Sequence, residues 1–177
     1  MRIAIVGATG AVGEVLRSEL ADLAVSADRL DFFASPRSDG TRLPYRGEEV
    51  PVRAFRPESV SEGSLVFFSA GAAVSRSTVP AVLERGTVVI DNSSAFRRDP
   101  AIPLVVPEVN GRLLEVRPSP RLVANPNCST AQLVCALAPL EEAFGLEEVV
   151  ISTYQSVSGT GRRALAALAA EIREVAP

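Results

Sequence analysis

Short apolar runs closed by a small or polar residue alternate along this chain with longer stretches in which apolar residues recur at helical spacing. Ile3-Ala4-Ile5-Val6 stops at Gly7 and predicts a buried parallel strand, since no position in it is polar. Glu14 to Leu23 then reads as a helix, and Leu30 to Ser35 as a second strand. Pro36 to Gly47 is polar and turn-rich. Glu49 to Phe55 predicts an antiparallel or edge strand, because Pro51 lacks the N–H a central strand needs. Leu65 to Ser69 is another buried strand, Ser75 to Arg85 a helix despite Pro80, and Thr87 to Asp91 the next strand. Residues 92–120 form a proline-marked connection with a short strand at Leu104–Val106 and a helical turn after Asn110. Arg121 to Ala124 is a strand. Cys128 to Phe144 is a helix in which Pro139 predicts a kink or break. Val149 to Gln155 alternates as a strand, Ser156 to Gly161 is a loop, and Thr160 or Gly161 opens a last helix, Arg162 to Val175. Strands alternating with helices at this spacing predict an α/β fold, a doubly wound, mostly parallel dinucleotide-binding sheet.

Composition narrows the function classes. The chain has 177 residues, 47% of them apolar, and a net charge of −3. That charge gives no reason to expect nucleic acid or an anionic membrane surface as a partner. No apolar run approaches the roughly 18 residues of a membrane span, and the first residues read as a strand rather than a signal peptide, so a cytoplasmic location is expected. All 18 basic residues are arginine, and histidine, the usual general base near neutral pH, is missing. Two cysteines make no disulfide framework. Nothing in the sequence suggests a metal site.

Gly7, Gly10 and Gly13 follow a strand and open a helix. Such a turn lets the backbone approach a pyrophosphate, and the helix N-terminus favours its charge. A ligand-free strand–helix turn uses the same pattern, so the strand and helix around it carry the inference. The second strand ends in Ala34-Ser35-Pro36-Arg37-Ser38, where an NAD site often has an acidic residue on the ribose 2′-hydroxyl. Arg37 instead offers a guanidinium fork, and Ser35 and Ser38 offer hydroxyls, which suits the 2′-phosphate of NADP.

Cys128 stands in Asn125-Pro126-Asn127-Cys128-Ser129-Thr130, at the start of a helix. Unpaired N–H groups and the positive end of the helix dipole meet the thiol there, and both favour a nucleophilic thiolate. Asn127 can donate its side-chain amide to an oxyanion. Cys135, seven residues on and about 10 Å along the helix, is too far for a disulfide and reads as core. A nucleophilic cysteine beside a dinucleotide loop suggests a thiohemiacetal that loses hydride.

Five segments together resemble the aspartate-semialdehyde dehydrogenase family: Gly7 to Gly13, Asp91-Asn92-Ser93-Ser94-Ala95-Phe96-Arg97, Val106-Pro107-Glu108-Val109-Asn110, Asn125 to Thr130, and Gln155-Ser156-Val157-Ser158-Gly159-Thr160-Gly161. The resemblance implies reversible NADP-dependent reduction of aspartyl 4-phosphate to aspartate 4-semialdehyde, with release of inorganic phosphate, on the route to lysine, threonine and methionine. It implies that Cys128 becomes an acyl-thioester, that Gln155 positions substrate beside it, and that Arg97 holds the phosphate, a role the adjacent Arg98 can share or take. It implies cofactor contacts at Thr9, Gly10, Ala11, Val12, Arg37 and Ser38, and further ones at Ala70, Gly71, Asn92, Ser158 and Gly159.

Family members run to roughly twice this length and carry a catalytic histidine and most of a dimer interface in the second half, as homodimers or homotetramers. The resemblance therefore implies an N-terminal portion: a cofactor domain over residues 1–127 and, over 128–177, the start of an α+β catalytic and dimerisation domain. The alanine-rich last helix, ending at Pro177 with no covering strand, agrees. Alternatives are N-acetyl-glutamyl-phosphate reductase, which usually has Gly where Asn127 stands, a malonyl-CoA reductase, or a non-catalytic NADP-binding module.

Overall fold

The computed structural model of the chain describes residues 1–115 and 121–175. Residues 116–120 of the predicted connection, and Pro177, lie outside the described residues. Seven strands form one sheet: β1 Ile3–Val6, β2 Leu30–Ala34, β3 Arg42–Tyr45, β4 Glu48–Ala54, β5 Leu65–Phe68, β6 Val88–Asp91 and β7 Leu122–Ala124. Their spatial order is β3-β4-β2-β1-β5-β6-β7, parallel throughout except for β3 against β4. This is the α/β, doubly wound sheet the sequence predicts. The chain leaves β1 toward β2 on one side and returns to β5 on the other. The carboxyl ends of β1 and β5 therefore flank the point where strand order reverses, the usual place for a ligand in such a sheet.

Helix α1 (Ala11–Asp22) lies on one face and α2 (Ala72–Glu84) on the other. Alternation along the strands divides the core accordingly. Ile3, Ile5, Leu30 and Phe32 face Leu20 of α1, whereas Ala4, Val6, Phe33, Val66, Phe68 and Val89 face Val79 and Val82 of α2. Two-sided burial is why β1 and β2 carry no exposed position and read as continuous apolar runs.

Both helices begin about one turn earlier than predicted. Gly10 and Gly71 stand at their N-caps, and the alanines after each glycine are good helix formers. Pro80 lies inside α2 and Pro139 inside α4 (Cys128–Phe144), and neither breaks its helix. Each proline is on an exposed face, so the carbonyl it deprives of a donor can meet water.

Other expectations fail in whole or in part. The turn-rich segment contains β3, joined to β4 by the two-residue turn Arg46-Gly47, both at positive φ (50° and 81°) as a type I′ hairpin requires. Strand β4 is antiparallel to β3, one of the two alternatives expected, but it is no edge: it lies between β3 and β2. Pro51 fits because Val52 N–H donates to Thr41 O, so the neighbouring N–H direction points away from β3, and pairing with β2 begins only at Val52. Leu104–Val106 makes one bridge, Leu104 to Ala124, because Pro103 cannot donate and Pro107 already opens the short helix α3 (Pro107–Asn110). Val149–Gln155 forms no strand among the described residues. It has no neighbour to pair with, and Val150 and Tyr154 lie exposed.

The last helix, α5, spans Arg162–Val175 as predicted and packs on the 3-10 turn Val157–Thr160. Helix α4 packs on α3 and contains no buried residue. Leu140, Phe144, Leu165, Leu168, Ile172 and Val175 are all exposed. Cys135, expected in the core, is therefore exposed, because nothing among the described residues covers its face of α4. None of the helices described is long and apolar enough to cross a membrane.

Tyr45 ties the β3–β4 hairpin to the end of α1. Its hydroxyl donates to Val25 O at 2.7 Å and its ring meets Phe32 edge-on. Burial raises its phenol pKa above the ordinary value near 10, against a smaller lowering by Arg46. A raised phenol pKa makes the folded state hold its proton after the unfolded chain has lost it. This contribution is full below about pH 10 and declines as pH rises through the folded value. Tyr45→Phe should cost about 1 kcal/mol at neutral pH for the lost hydrogen bond and flatten the alkaline loss of stability. Urea titrations at pH 8 and above 10 would check both, and equal slopes in the two proteins would refute the assignment.

Candidate functional site

Five loops leave the carboxyl ends of adjacent parallel strands and line one edge of the sheet. In spatial order they follow β2 (Ser35–Ser38), β1 (Gly7–Gly13), β5 (Ser69–Gly71), β6 (Asn92–Arg97) and β7 (Asn125–Cys128). Nearly all the residues singled out in the sequence converge on that edge for this reason.

At the centre, Gly7 adopts φ +99° and its N–H donates to Phe33 O at 2.8 Å. A Cβ on Gly7 would stand 2.5 Å from Ser69 O, so the β1 and β5 loops touch backbone to backbone. A Cβ on Gly13 would press on Gly7 O and lie 2.8 Å from Ala8 Cα. On Gly10 the nearest atom would be Gly7 O at 3.2 Å. Gly10 caps α1 without a side-chain oxygen, and Gly71 likewise caps α2. Two helix N-termini without side-chain caps thus open on the crevice, with N–H groups of Ala11, Val12 and Gly13 at the mouth of α1. A cradle kept free of Cβ atoms beside such termini fits a pyrophosphate, and Thr9 adds a hydroxyl to the same loop.

On the β2 side, Pro36–Ser38 is a 3-10 turn capped by Ser35, with Ser38 N–H donating to Ser35 O at 2.9 Å. Arg37 projects from it, exposed and without a hydrogen bond or ion pair among the described residues. Ala70 is half-buried in the β5 loop.

The β6 and β7 loops are tied together. Asn92 N–H donates to Phe68 O, and Asn92 Oδ1 accepts from Asn125 Nδ2. Arg97 donates from Nε to Asn125 O at 2.7 Å and from Nη2 to Asn92 O at 2.8 Å. Its guanidinium therefore spans both loops and keeps Nη1 for a further partner. Arg98 is exposed. Beneath the turn, the buried Asp91 accepts at Oδ1 from Ser93 N–H (2.7 Å) and Ser93 Oγ (2.5 Å).

Cys128 is the first residue of α4 and is exposed. Asn127 caps the helix: its Oδ1 accepts from Ser129 N–H at 3.0 Å and meets Cys128 Sγ at 3.8 Å. With Oδ1 so engaged, Asn127 Nδ2 remains as a donor beside the sulfur. An exposed thiol, the Asn127 amide donor and an arginine fork stand on adjoining loops. Together they have the groups needed to bind and attack a phosphorylated or free carbonyl compound.

Gln155, Ser158 and Gly159 are not held to this edge by hydrogen bonds among the described residues. The Gln155 side chain turns back on Gly159, where an added Cβ would lie 3.4 Å from its Cδ. Ser156 caps the following 3-10 turn, which carries Ser158 and packs on α5. Asn125, Asp91 and Ser93 lie within the segments that carry the resemblance, but nothing in the sequence assigns them a role of their own. The Asn92–Asn125 pair spans 33 residues, a separation at which spacing carries no signal.

The sequence profile of the semialdehyde dehydrogenase NAD binding domain matches residues 2–116, and that of the semialdehyde dehydrogenase dimerisation domain matches residues 137–176. The aspartate-semialdehyde dehydrogenase of Bacillus subtilis is 44% identical over 99% of this chain and 50% of its own length. The crystal structure of aspartate semialdehyde dehydrogenase II from Vibrio cholerae, complexed with ASA, superposes with a TM-score of 0.86 at 42% identity. It covers 97% of this chain and 51% of that one. The Candida albicans aspartate semialdehyde dehydrogenase with NADP superposes with a TM-score of 0.63 at 27% identity, over 82% of this chain and 48% of that one. The chain thus spans about half the length of the relatives it matches.

Proposed function

We propose, because this chain belongs to the semialdehyde dehydrogenase family, that the protein carrying it interconverts L-aspartyl 4-phosphate and L-aspartate 4-semialdehyde, with phosphate and NADP(H), in amino-acid biosynthesis. The observation that carries this proposal is Cys128 at the start of α4, beside a loop gripped by the Arg97 fork. Sγ attacks the acyl carbon. The carbonyl oxygen that gains charge takes hydrogen bonds from donors at the helix start, with Asn127 Nδ2 among them. Collapse expels phosphate and leaves a thioester on Cys128. Arg97 Nη1 holds the phosphate while Nε and Nη2 keep the cysteine loop in place. Gln155 orients the substrate once its side chain leaves Gly159. A cofactor held at the glycine loop would supply hydride to the thioester carbon; the C–S bond of the resulting thiohemiacetal would then break, releasing the aldehyde and returning Cys128 as thiolate, and the reverse direction runs the same steps backwards. The proton on Sγ needs a base. Among the described residues Sγ hydrogen-bonds only to Asn127 Oδ1, an amide oxygen that is no base at neutral pH, and the chain has no histidine, so the base lies outside this chain.

Phosphate-dependent reduction of NADP with the semialdehyde as substrate is the direct test. Turnover that ignores phosphate would sink the proposal.

NADP is proposed over NAD because Arg37 stands, without a partner among the described residues, at the end of β2 where NAD sites favour an acid. Arg37→Ala should weaken NADP binding by on the order of 10- to 100-fold, the worth of a charge-assisted bond, and leave NAD binding nearly unchanged. Calorimetric titration with both nucleotides checks it, and equal losses would assign Arg37 to something other than the 2′-phosphate.

The exposed apolar residues of α4 and α5 support a further part of this proposal, that residues 128–177 belong to a catalytic and dimerisation domain through which the protein pairs with its own kind. A catalytically active protein that sediments as a monomer would refute that part.

A further inference from the structure

Asp91, at the carboxyl end of β6, is fully buried. Its Oδ1 is engaged by Ser93, but its Oδ2 has no partner among the described residues. Ser75 Oγ, in the first turn of α2, is also fully buried and also without a partner. Two buried orphan oxygens in one small domain are costly unless something joins them.

The topology puts them on facing surfaces. Ser75, Val79 and Val82 follow one another at i, i+4 and i+7, so they share a face of α2, and all three are fully buried. Val79 and Val82 pack on Val89, and Asp91 is two residues beyond Val89 on the same face of β6. Helix α2 runs antiparallel to the strand, so its first turn lies beside the end of β6. The hydroxyl of Ser75 is a donor, and Oδ2 of Asp91 needs one.

We propose that Asp91 is a positioning residue shared by two of the loops at the cofactor edge. Oδ1 holds the Asn92–Arg97 turn through Ser93, whose Oγ in turn accepts from Ala95 N–H at 3.0 Å. Oδ2 holds the first turn of α2, behind Ala70 and Gly71, through one buried water donated to by Ser75 Oγ. A water with two or three such polar partners is the ordinary solution for groups of this kind. Displacement of one loop is then felt by the other, and by the Arg97 grip on the cysteine loop. The functional half of this inference rests on the NADP reading above, while the tie itself does not.

The test uses the chain in two arms. In the first, amide hydrogen exchange is followed in Asp91→Ala, Asp91→Asn and Ser75→Ala. Asp91→Ala should speed exchange at Ser93 and Ala95 and also at the N-terminal turn of α2. Ser75→Ala should reproduce only the α2 part. Asp91→Asn, which keeps an acceptor for Ser93 and offers a donor to the water, should restore most of both. Changes confined to residues 92–97 in Asp91→Ala, or a Ser75–Asp91 double mutant whose effects simply add, would overturn the tie. In the second arm, NADP affinity should fall in Asp91→Ala by at least about tenfold and recover in Asp91→Asn. An unchanged affinity, where the wild type binds, would overturn the functional half. Absence of binding by the wild type would count against the NADP reading and leave the exchange arm decisive for the tie.

Discussion

Cys128→Ser should reduce turnover of the semialdehyde by on the order of 10⁴-fold or more, equivalent to ~5 kcal/mol of barrier. An alcohol is a far weaker nucleophile than a thiolate near neutral pH and a far poorer leaving group from the acyl intermediate, so both half-reactions suffer. The helix start that suits sulfur does not repair this. The same substitution has a simple chemical check, because Cys128 and Cys135 are both exposed and free. In this chain taken by itself, a thiol reagent should titrate two groups in the wild type and one in either Cys128→Ser or Cys135→Ser. In the protein that carries the chain, Cys135→Ser should leave turnover intact. Retained turnover in Cys128→Ser, or its loss in Cys135→Ser, would remove Cys128 from the proposed mechanism. The contrast is informative because exposure does not separate the two thiols. What separates them is position: Cys128 opens α4 behind an asparagine cap, and Cys135 lies two turns inside it.

Gly7→Ala should be the most damaging of the glycine-loop substitutions, at about 2–5 kcal/mol of stability, and it should abolish nucleotide binding. A positive φ costs an alanine roughly 1–2 kcal/mol, and forcing a methyl group into a packed site adds typically 1–3 more. Here the methyl would meet Ser69 O at 2.5 Å and Ser69 C at 2.8 Å, which are backbone atoms that cannot rotate away. The β1 and β5 loops would have to part, and the crevice lies between them. Gly13→Ala carries the overpacking without the φ cost and should fall about 1–3 kcal/mol below wild type, because its methyl would press on Gly7 O and Ala8. Gly10→Ala, with Gly7 O 3.2 Å away, should fold nearly normally. Set against a domain stability of roughly 5–15 kcal/mol, the first leaves the fold marginal. Urea denaturation with nucleotide titration gives the ranking, and a Gly10→Ala as damaging as Gly7→Ala would show that the backbone contact is not the cause.

Much of the scaffold was legible because its signals are local. β1 and β2 are apolar runs whose burial follows from two-sided cover, β5 and β6 are apolar runs of the same parallel sheet, and Gly7 and Gly13 mark the turn at positions where a Cβ would strike backbone. The hairpin was missed because Arg46-Gly47 is a two-residue turn without asparagine or aspartate, set in a stretch whose polarity suggests loop. Val149–Gln155 and Cys135 were misplaced for one shared reason. Alternation and apolarity say that a segment seeks a partner, but they do not say that the partner is present.

The site divides along the same line. Sequence alone determined which atoms can do chemistry: a thiol behind an asparagine at a helix start, a glycine loop after a strand, and an arginine where an acid would read NAD. These are properties of single residues and their nearest neighbours along the chain. Tertiary structure alone decided which of them meet. Strand order brings the five loops to one edge, and Arg97 reaches Asn125 across 28 residues of chain. Asp91 comes to lie under the turn that carries Asn92, on the face that packs against α2. Such contacts depend on parallel strands being laid side by side in a non-sequential order, and no local pattern of residues encodes that order.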